Sequence, residues 1–128
     1  MSDIVRDKSM NFAIEIVNLY KSLKDEKREF VMSKQILKSG TSIGANLREA
    51  KNAQSDLDFI HKNAIAQKEC DETLFWLELL RKTDFISEEN FVNLSSQATE
   101  LLKIIRSIIL TKKSNLKKHY KSYFIPHT

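Results

Sequence analysis

Residues 91–110, FVNLSSQATELLKIIRSIIL, decide the fold. Phe91, Leu94, Ala98, Leu101, Ile105 and Ile108 recur at intervals of three and four residues. That is the period of one face of an α-helix, not the two-residue alternation of a strand. Ser87 stands just ahead of Glu88 and Glu89, a helix N-terminus by its chemistry, with negative charge where the helix dipole favours it. Lys112 and Lys113 suit the opposite end. The stretch therefore sets a helix from Ser87 to about Lys113.

Three more helices are read upstream. Phe12, Ile16, Leu19 and Leu23 set the first, from about Asp3 to Lys24, and Ile14, Val17 and Tyr20 widen its stripe. The second is read from about Lys27 to Ala53. Phe30, Leu37, Gly40, Gly44, Leu47 and Ala50 share one of its faces, and Lys34, Lys38, Thr41, Ala45 and Arg48 share another. Asp25-Glu26-Lys27-Arg28 is either a short loop or the polar start of that helix, and Ser39-Gly40-Thr41-Ser42 either continues the helix or breaks it. Two interior glycines cost about 1 kcal/mol each relative to alanine, so a helix here needs tertiary support. The third helix runs from Ser55, placed as a cap with Asp58, to about Lys82. One of its stripes is Phe59, Ala66, Cys70, Leu77 and Leu80; a second is Ile65, Glu69, Glu72, Trp76 and Leu79. Short connections force antiparallel neighbours. The expected fold is all-α, an antiparallel up-down-up-down four-helix bundle over residues 1–113, followed by a basic aromatic tail over 114–128.

Composition agrees. A chain of 128 residues suits one domain, and 2 glycines and 1 proline are too few for the turns of a β-sandwich or barrel. A single cysteine, Cys70, excludes an internal disulfide framework and a cysteine-rich zinc site. The net charge of +4 is uneven: Lys112, Lys113, Lys117, Lys118 and Lys121 lie in a tail without acids, and the rest is nearly neutral. The N-terminus lacks the apolar run of a secretory signal and no window is long enough to span a membrane, so a cytoplasmic protein is expected.

Gly40-Thr41-Ser42-Ile43-Gly44 fits the Gly-x-Ser-x-Gly spelling of a hydrolase nucleophile elbow. That motif needs a strand entering a helix above a parallel sheet, and no strand precedes it. The geometric reading of Gly40 and Gly44 is close helix packing, within the bundle or between subunits, with Ser39, Thr41 and Ser42 returning hydrogen bonds to carbonyls one turn back. No glutamate has a histidine three residues later, as a bundled di-iron site requires. Glu69 and Glu72 instead suit a network with Lys68, Arg48 or Lys38. His61 reads as a surface or interface residue and Cys70 as a core residue. None of the five arginines has a histidine four to six residues on, the pattern of helical ribonucleases of the HEPN type. Neither an enzyme, a metal nor a cofactor is expected.

Leu74 to Leu80 and Leu101 to Leu110 carry more apolar surface than one bundle hides, which points to a subunit interface. The tail mixes cations with Tyr120, Tyr123 and Phe124, suited to phosphates and to unpaired bases.

The block Ser33-Lys34-Gln35-Ile36-Leu37-Lys38-Ser39-Gly40-Thr41-Ser42-Ile43-Gly44-Ala45-Asn46-Leu47-Arg48-Glu49-Ala50 resembles the signature of the bacterial four-helix bundle family encoded in intervening sequences of 23S ribosomal RNA genes. Asp58-Phe59-Ile60, Ala66, Lys68-Glu69, Glu72-Thr73 and Trp76 to Leu80 fit its second block. The resemblance is close over about Phe12 to Leu80 and holds by pattern in the fourth helix; the tail lies outside it. It implies a four-helix bundle. The family is also similar to the accessory subunit of diversity-generating retroelements, a pentameric barrel that binds nucleic acid and a reverse transcriptase, which implies a homopentamer with a basic surface. No catalytic residue carries over.

The expected function is a non-enzymatic homo-oligomer that binds RNA or DNA, structured RNA foremost. Lys34, Lys38, Arg48, Lys112, Lys113, Lys117, Lys118 and Lys121 are the candidate phosphate contacts. The alternative is a scaffold for a protein partner, without nucleic-acid contact.

Overall fold

The computed structural model describes the backbone of residues 2–124 and the side chains of residues 4–119. Four helices follow one another: α1 (Ser2–Asp25), α2 (Met32–Lys51), α3 (Asp56–Lys82) and α4 (Glu88–Phe124). Each packs on the next, α4 closes back on α1 along a looser seam, and the diagonal pairs do not meet. This is the up-down-up-down bundle the periodicity implies. Phe12, Ile16, Leu23, Ile36, Ile43, Leu77, Leu80, Leu101 and Ile105 form its axis, each at most 1% exposed.

α2 begins at Met32, later than the sequence reading of Lys27, because residues 26–31 form a connection. Arg28 takes a left-handed conformation, φ 56°, which no helix interior tolerates. Glu29 then caps α2 from outside: its carboxylate accepts from the backbone N–H groups of Ser33 at 2.7 Å and Val31 at 3.2 Å. Burial works against that charge, but the N–H groups of Ser33, Met32 and Val31 and the Ser33 hydroxyl outweigh it and hold the carboxyl below its ordinary pKa. Asp84 is the left-handed residue of the α3–α4 turn, φ 65°. Phe85 N–H donates to Leu80 O at 2.9 Å and Asp84 N–H to Arg81 O at 3.2 Å, a Schellman closure without glycine. α3 starts at its expected cap, with Ser55 Oγ accepting from Asp58 N–H at 3.0 Å.

Ser39-Gly40-Thr41-Ser42 continues α2. A Cβ on Gly40 would stand 2.9 Å from both γ carbons of Ile16, and one on Gly44 would stand 3.3 Å from Ser9 Oγ. The glycines therefore let α1 approach α2 within the bundle. Ser39 donates to Ile36 O at 3.4 Å, Thr41 to Leu37 O at 2.7 Å, and Ser42 to Lys38 O. Thr73 of α3 donates to Glu69 O at 2.7 Å, and its hydroxyl lies 2.9 Å from that of Ser39, tying α2 to α3 in a fully buried position.

α4 does not stop near Lys113. It continues to Phe124, about 55 Å for 37 residues, against about 40 Å for the 27 residues of α3. Lys112 pairs with Asp56, the first residue of α3, at 3.1 Å. Beyond that pair α4 runs past the start of its neighbour. Nothing breaks it, because the sequence has no Gly after Gly44 and no Pro before Pro126.

Candidate nucleic-acid interface

Lys34, Lys38 and Arg48 lie on the outward face of α2, and all three are exposed. Lys38 stands close enough to Glu69 of α3 to draw its carboxyl back toward the charged form. Burial first, and the neighbouring Glu72 second, push Glu69 above its ordinary pKa, with Lys68 acting alongside Lys38. Arg48 takes no part in that network, and Glu49 is held instead by Lys62 at 3.0 Å. Trp76 Nε1 donates to Glu72 at 3.3 Å. Of the three cations weighed for Glu69, Lys38 and Lys68 are near it.

The expected tail lysines lie on the continuation of α4. Lys112 is half-buried, paired with Asp56, and its ammonium sits 5.0 Å from the centre of the Phe59 ring. It serves the α3–α4 junction. Lys113, Lys117 and Lys118 are exposed. The side chains of Tyr120, Lys121, Tyr123 and Phe124 lie outside the described residues.

Two cations were missed in the sequence. Lys103 and Arg106 are exposed, and with Leu110, Lys113 and Lys117 they recur at intervals of three and four residues along the outward face of α4. The stripe is about 21 Å long. The signal was available: the acid-free run begins at Leu101, not at Lys112. α2 and α4 are diagonal in the bundle, so the two cationic faces point away from each other. A single copy does not unite the candidate residues on one surface.

The apolar surplus also differs from expectation. In Leu74 to Leu80 only Phe75, 57% exposed, is a large exposed apolar side chain, and in Leu101 to Leu110 only Leu110, 67% exposed. The rest turn at least partly inward, and more exposed apolar surface lies on α1, at Ile4, Met10 and Ile14.

Ser42 serves α2 through its bond to Lys38 O, and no strand accompanies it among the described residues. The Cys70 thiol is fully buried, and burial, with Asp71 and Glu69 nearby, pushes its pKa up to about 12. No group of three or more potential metal ligands exists among the described residues, and among them no helix is long and apolar enough to cross a membrane.

The chain is similar to a crystal structure of a protein with unknown function from the S23 ribosomal protein family of Bacteroides thetaiotaomicron. The two are 56% identical with a TM-score of 0.84, over 84% of this chain and 96% of that one. No curated protein matches. A sequence model described as 23S rRNA-intervening sequence protein matches residues 2–107, stopping short of Lys112 and the α4 lysines that follow it. With the bundle, the glycine seam and this match in agreement, the chain belongs to the family of 23S rRNA-intervening sequence proteins.

Proposed function

We propose that the protein is a non-enzymatic, homo-oligomeric binding module for nucleic acid, structured RNA in the first place. The observation that carries this reading is the outward face of α4. Lys103, Arg106, Lys113 and Lys117 stand on it without an acid from Leu101 onward, and none is paired in the described packing. Cations that pack against nothing suit a polyanion, whose counterions they release on contact. Lys118 and Lys121 extend the set in sequence, and Lys34, Lys38 and Arg48 supply a second cationic face. Because the faces diverge, several copies are needed to gather both, and the family's similarity to a pentameric accessory subunit supports an assembly of five. Multiple weak contacts then add through effective concentration.

Filter binding to a structured RNA across salt concentrations tests the reading. Four phosphates neutralised on a single-stranded segment give a log–log slope of about −3. Replacing Lys113 and Lys117 by glutamine lowers its magnitude by about 1.4. A flat salt response refutes the reading, and light scattering that finds a lone subunit refutes the assembly.

The second reading is a protein-interaction scaffold, favoured by Ile4, Met10 and Ile14 at 62%, 47% and 52% exposure on α1. It expects partner capture to survive removal of the residues after Lys113.

A further inference from the structure

A cleft of about 740 Å³ runs along the outer seam of α1 and α2, toward the bundle end where α3 starts. Met10 and Ala13 of α1 and Gly44 and Ala45 of α2 line it, and Arg6 and Arg48 line it about one turn nearer that end. Both arginines are exposed, and neither is in an ion pair among the described residues; the neighbouring acid, Glu49, is held by Lys62. The cleft is an apolar seat with positive charge to one side.

α3 carries the counterpart. Phe75 is 57% exposed. Phe30, the other exposed phenylalanine among the described residues, has the Arg28 guanidinium 5.5 Å from its ring centre, whereas Phe75 has only the Trp76 ring at its edge, 5.0 Å between centroids. Asp71 and Glu72 stand one turn before Phe75, both exposed. Glu72 accepts from Trp76 Nε1 at 3.3 Å, and neither acid is in an ion pair among the described residues, since Lys68 stands beside Glu69 instead. On the other side of Phe75, Glu78 is already paired with Lys82 at 3.5 Å. The exposed ring therefore has its unpaired negative charge on one side only.

The spacings agree. Arg6 precedes Met10 by four residues and Arg48 follows Ala45 by three; Asp71 and Glu72 precede Phe75 by four and three. Each step is about 4.5–6 Å along a helix. Both charged pairs also lie toward the same bundle end, because α1 and α3 rise from it and α2 returns to it. Two copies standing the same way up bring ring to seat and acids to arginines together.

We propose that a second copy of this chain fills the cleft, with its Phe75 seated between α1 and α2 and its Asp71 and Glu72 on Arg6 and Arg48. This rests on the homo-oligomer of the proposed function and names the two surfaces through which its copies meet. The surfaces lie on different sides of the bundle, so each copy uses both at once and the contact runs head to tail. The Ser39–Thr73 pair sets Phe75 level with Leu37, about 12 Å along the bundle from Ala45, so copies that close a ring lean against one another. Arg48 then serves the interface and leaves Lys34 and Lys38 as the phosphate contacts of α2.

The test is light scattering of the full chain over a dilution series, with circular dichroism to show that each variant is folded. Wild type is an assembly. Phe75→Ala, at an exposed position, weakens association at least about 30-fold, the worth of a buried aromatic anchor. Arg6→Glu with Arg48→Glu also lowers the mass, and adding Asp71→Arg and Glu72→Arg to the same chain restores it. Mixing Phe75→Ala with the Arg6→Glu, Arg48→Glu chain gives a heterodimer and nothing larger, because one partner keeps only the seat and the other only the ring. If wild type assembles and Phe75→Ala keeps its mass at every dilution, copies meet elsewhere: this inference falls and the homo-oligomer reading stands. A wild type that stays a lone subunit at millimolar concentration overturns both.

Discussion

Replacing Gly40 by alanine separates packing from propensity. Alanine is favoured over glycine in a helix interior by about 1 kcal/mol, so propensity alone predicts stabilisation. Space predicts the reverse. The new Cβ meets both γ carbons of Ile16 at 2.9 Å and its Cβ at 3.3 Å. Ile16 is 0% exposed and β-branched, and the atoms in the way are next to its backbone, so it cannot swing clear. Overpacking of this kind costs about 1–3 kcal/mol. The net is a loss of about 1 kcal/mol, a fall in Tm of about 4 °C at this chain length. Gly44→Ala is the internal control. Its nearest obstacle is Ser9 Oγ at 3.3 Å, a contact relieved by a shift of a few tenths of an ångström that leaves the bond from Ser9 to Arg6 O in place, so that variant is neutral or gains up to about 1 kcal/mol.

Urea unfolding followed by circular dichroism, at one fixed protomer concentration, reads both variants. The decisive measurement is the double-mutant cycle with Ile16→Ala, which removes both obstructing carbons at a cost of about 2–5 kcal/mol. In that background Gly40→Ala becomes stabilising by about 1 kcal/mol, a coupling of about 2 kcal/mol. If Gly40→Ala destabilises equally in both backgrounds, or is as benign as Gly44→Ala, close approach to Ile16 is not why a glycine stands there.

Glu29→Ala destabilises the fold by about 1 kcal/mol at neutral pH, the usual worth of a helix cap. Because the folded carboxyl lies below its ordinary value of 4.5, that contribution is complete above pH 4.5 and is lost as pH falls through the folded pKa, so the urea midpoints of wild type and variant converge in acid. Thr73→Val breaks the buried hydroxyl pair and costs about 1–2 kcal/mol, while Thr73→Val with Ser39→Ala costs less than the sum of the single changes, as urea midpoints will read. Cys70, buried and with its pKa raised to about 12, resists a thiol reagent at pH 8 in the native state; labelling at the rate of an exposed thiol would contradict its position.

The bundle was legible because its signal is redundant: α3 and α4 each repeat the apolar period through several turns, and one misread residue changes nothing. The ends were less legible. The start of α2 is hidden because its cap is not a Ser, Thr, Asp or Asn beside the first turn but a glutamate reaching in from the connection. The end of α4 misled because Lys112 and Lys113 look like cations closing a helix, whereas Lys112 marks where α3 begins alongside it. Lys103 and Arg106 escaped notice among the isoleucines of α4, since a charge within an apolar run reads as its solvent side.

Two kinds of information are interleaved along this chain. The block that carries the family resemblance, Ser33 to Ala50, has packing roles for its distinctive residues. Gly40 admits Ile16, Gly44 admits Ser9, and Ser39 meets Thr73. Its Lys38 stands beside Glu69. A chain could keep this block for the sake of the bundle alone. The exposed cations of α4 have no such employment: Lys113, Lys117 and Lys118 lie where the helix has outrun α3 and beyond residue 107, where the family match stops. If the protein meets a polyanion, the residues with nothing to pack against are the ones free to reach it. Charge removal on the α4 extension should therefore weaken RNA binding more than equal charge removal at Lys34 and Lys38, and the opposite ranking would return the interface to α2.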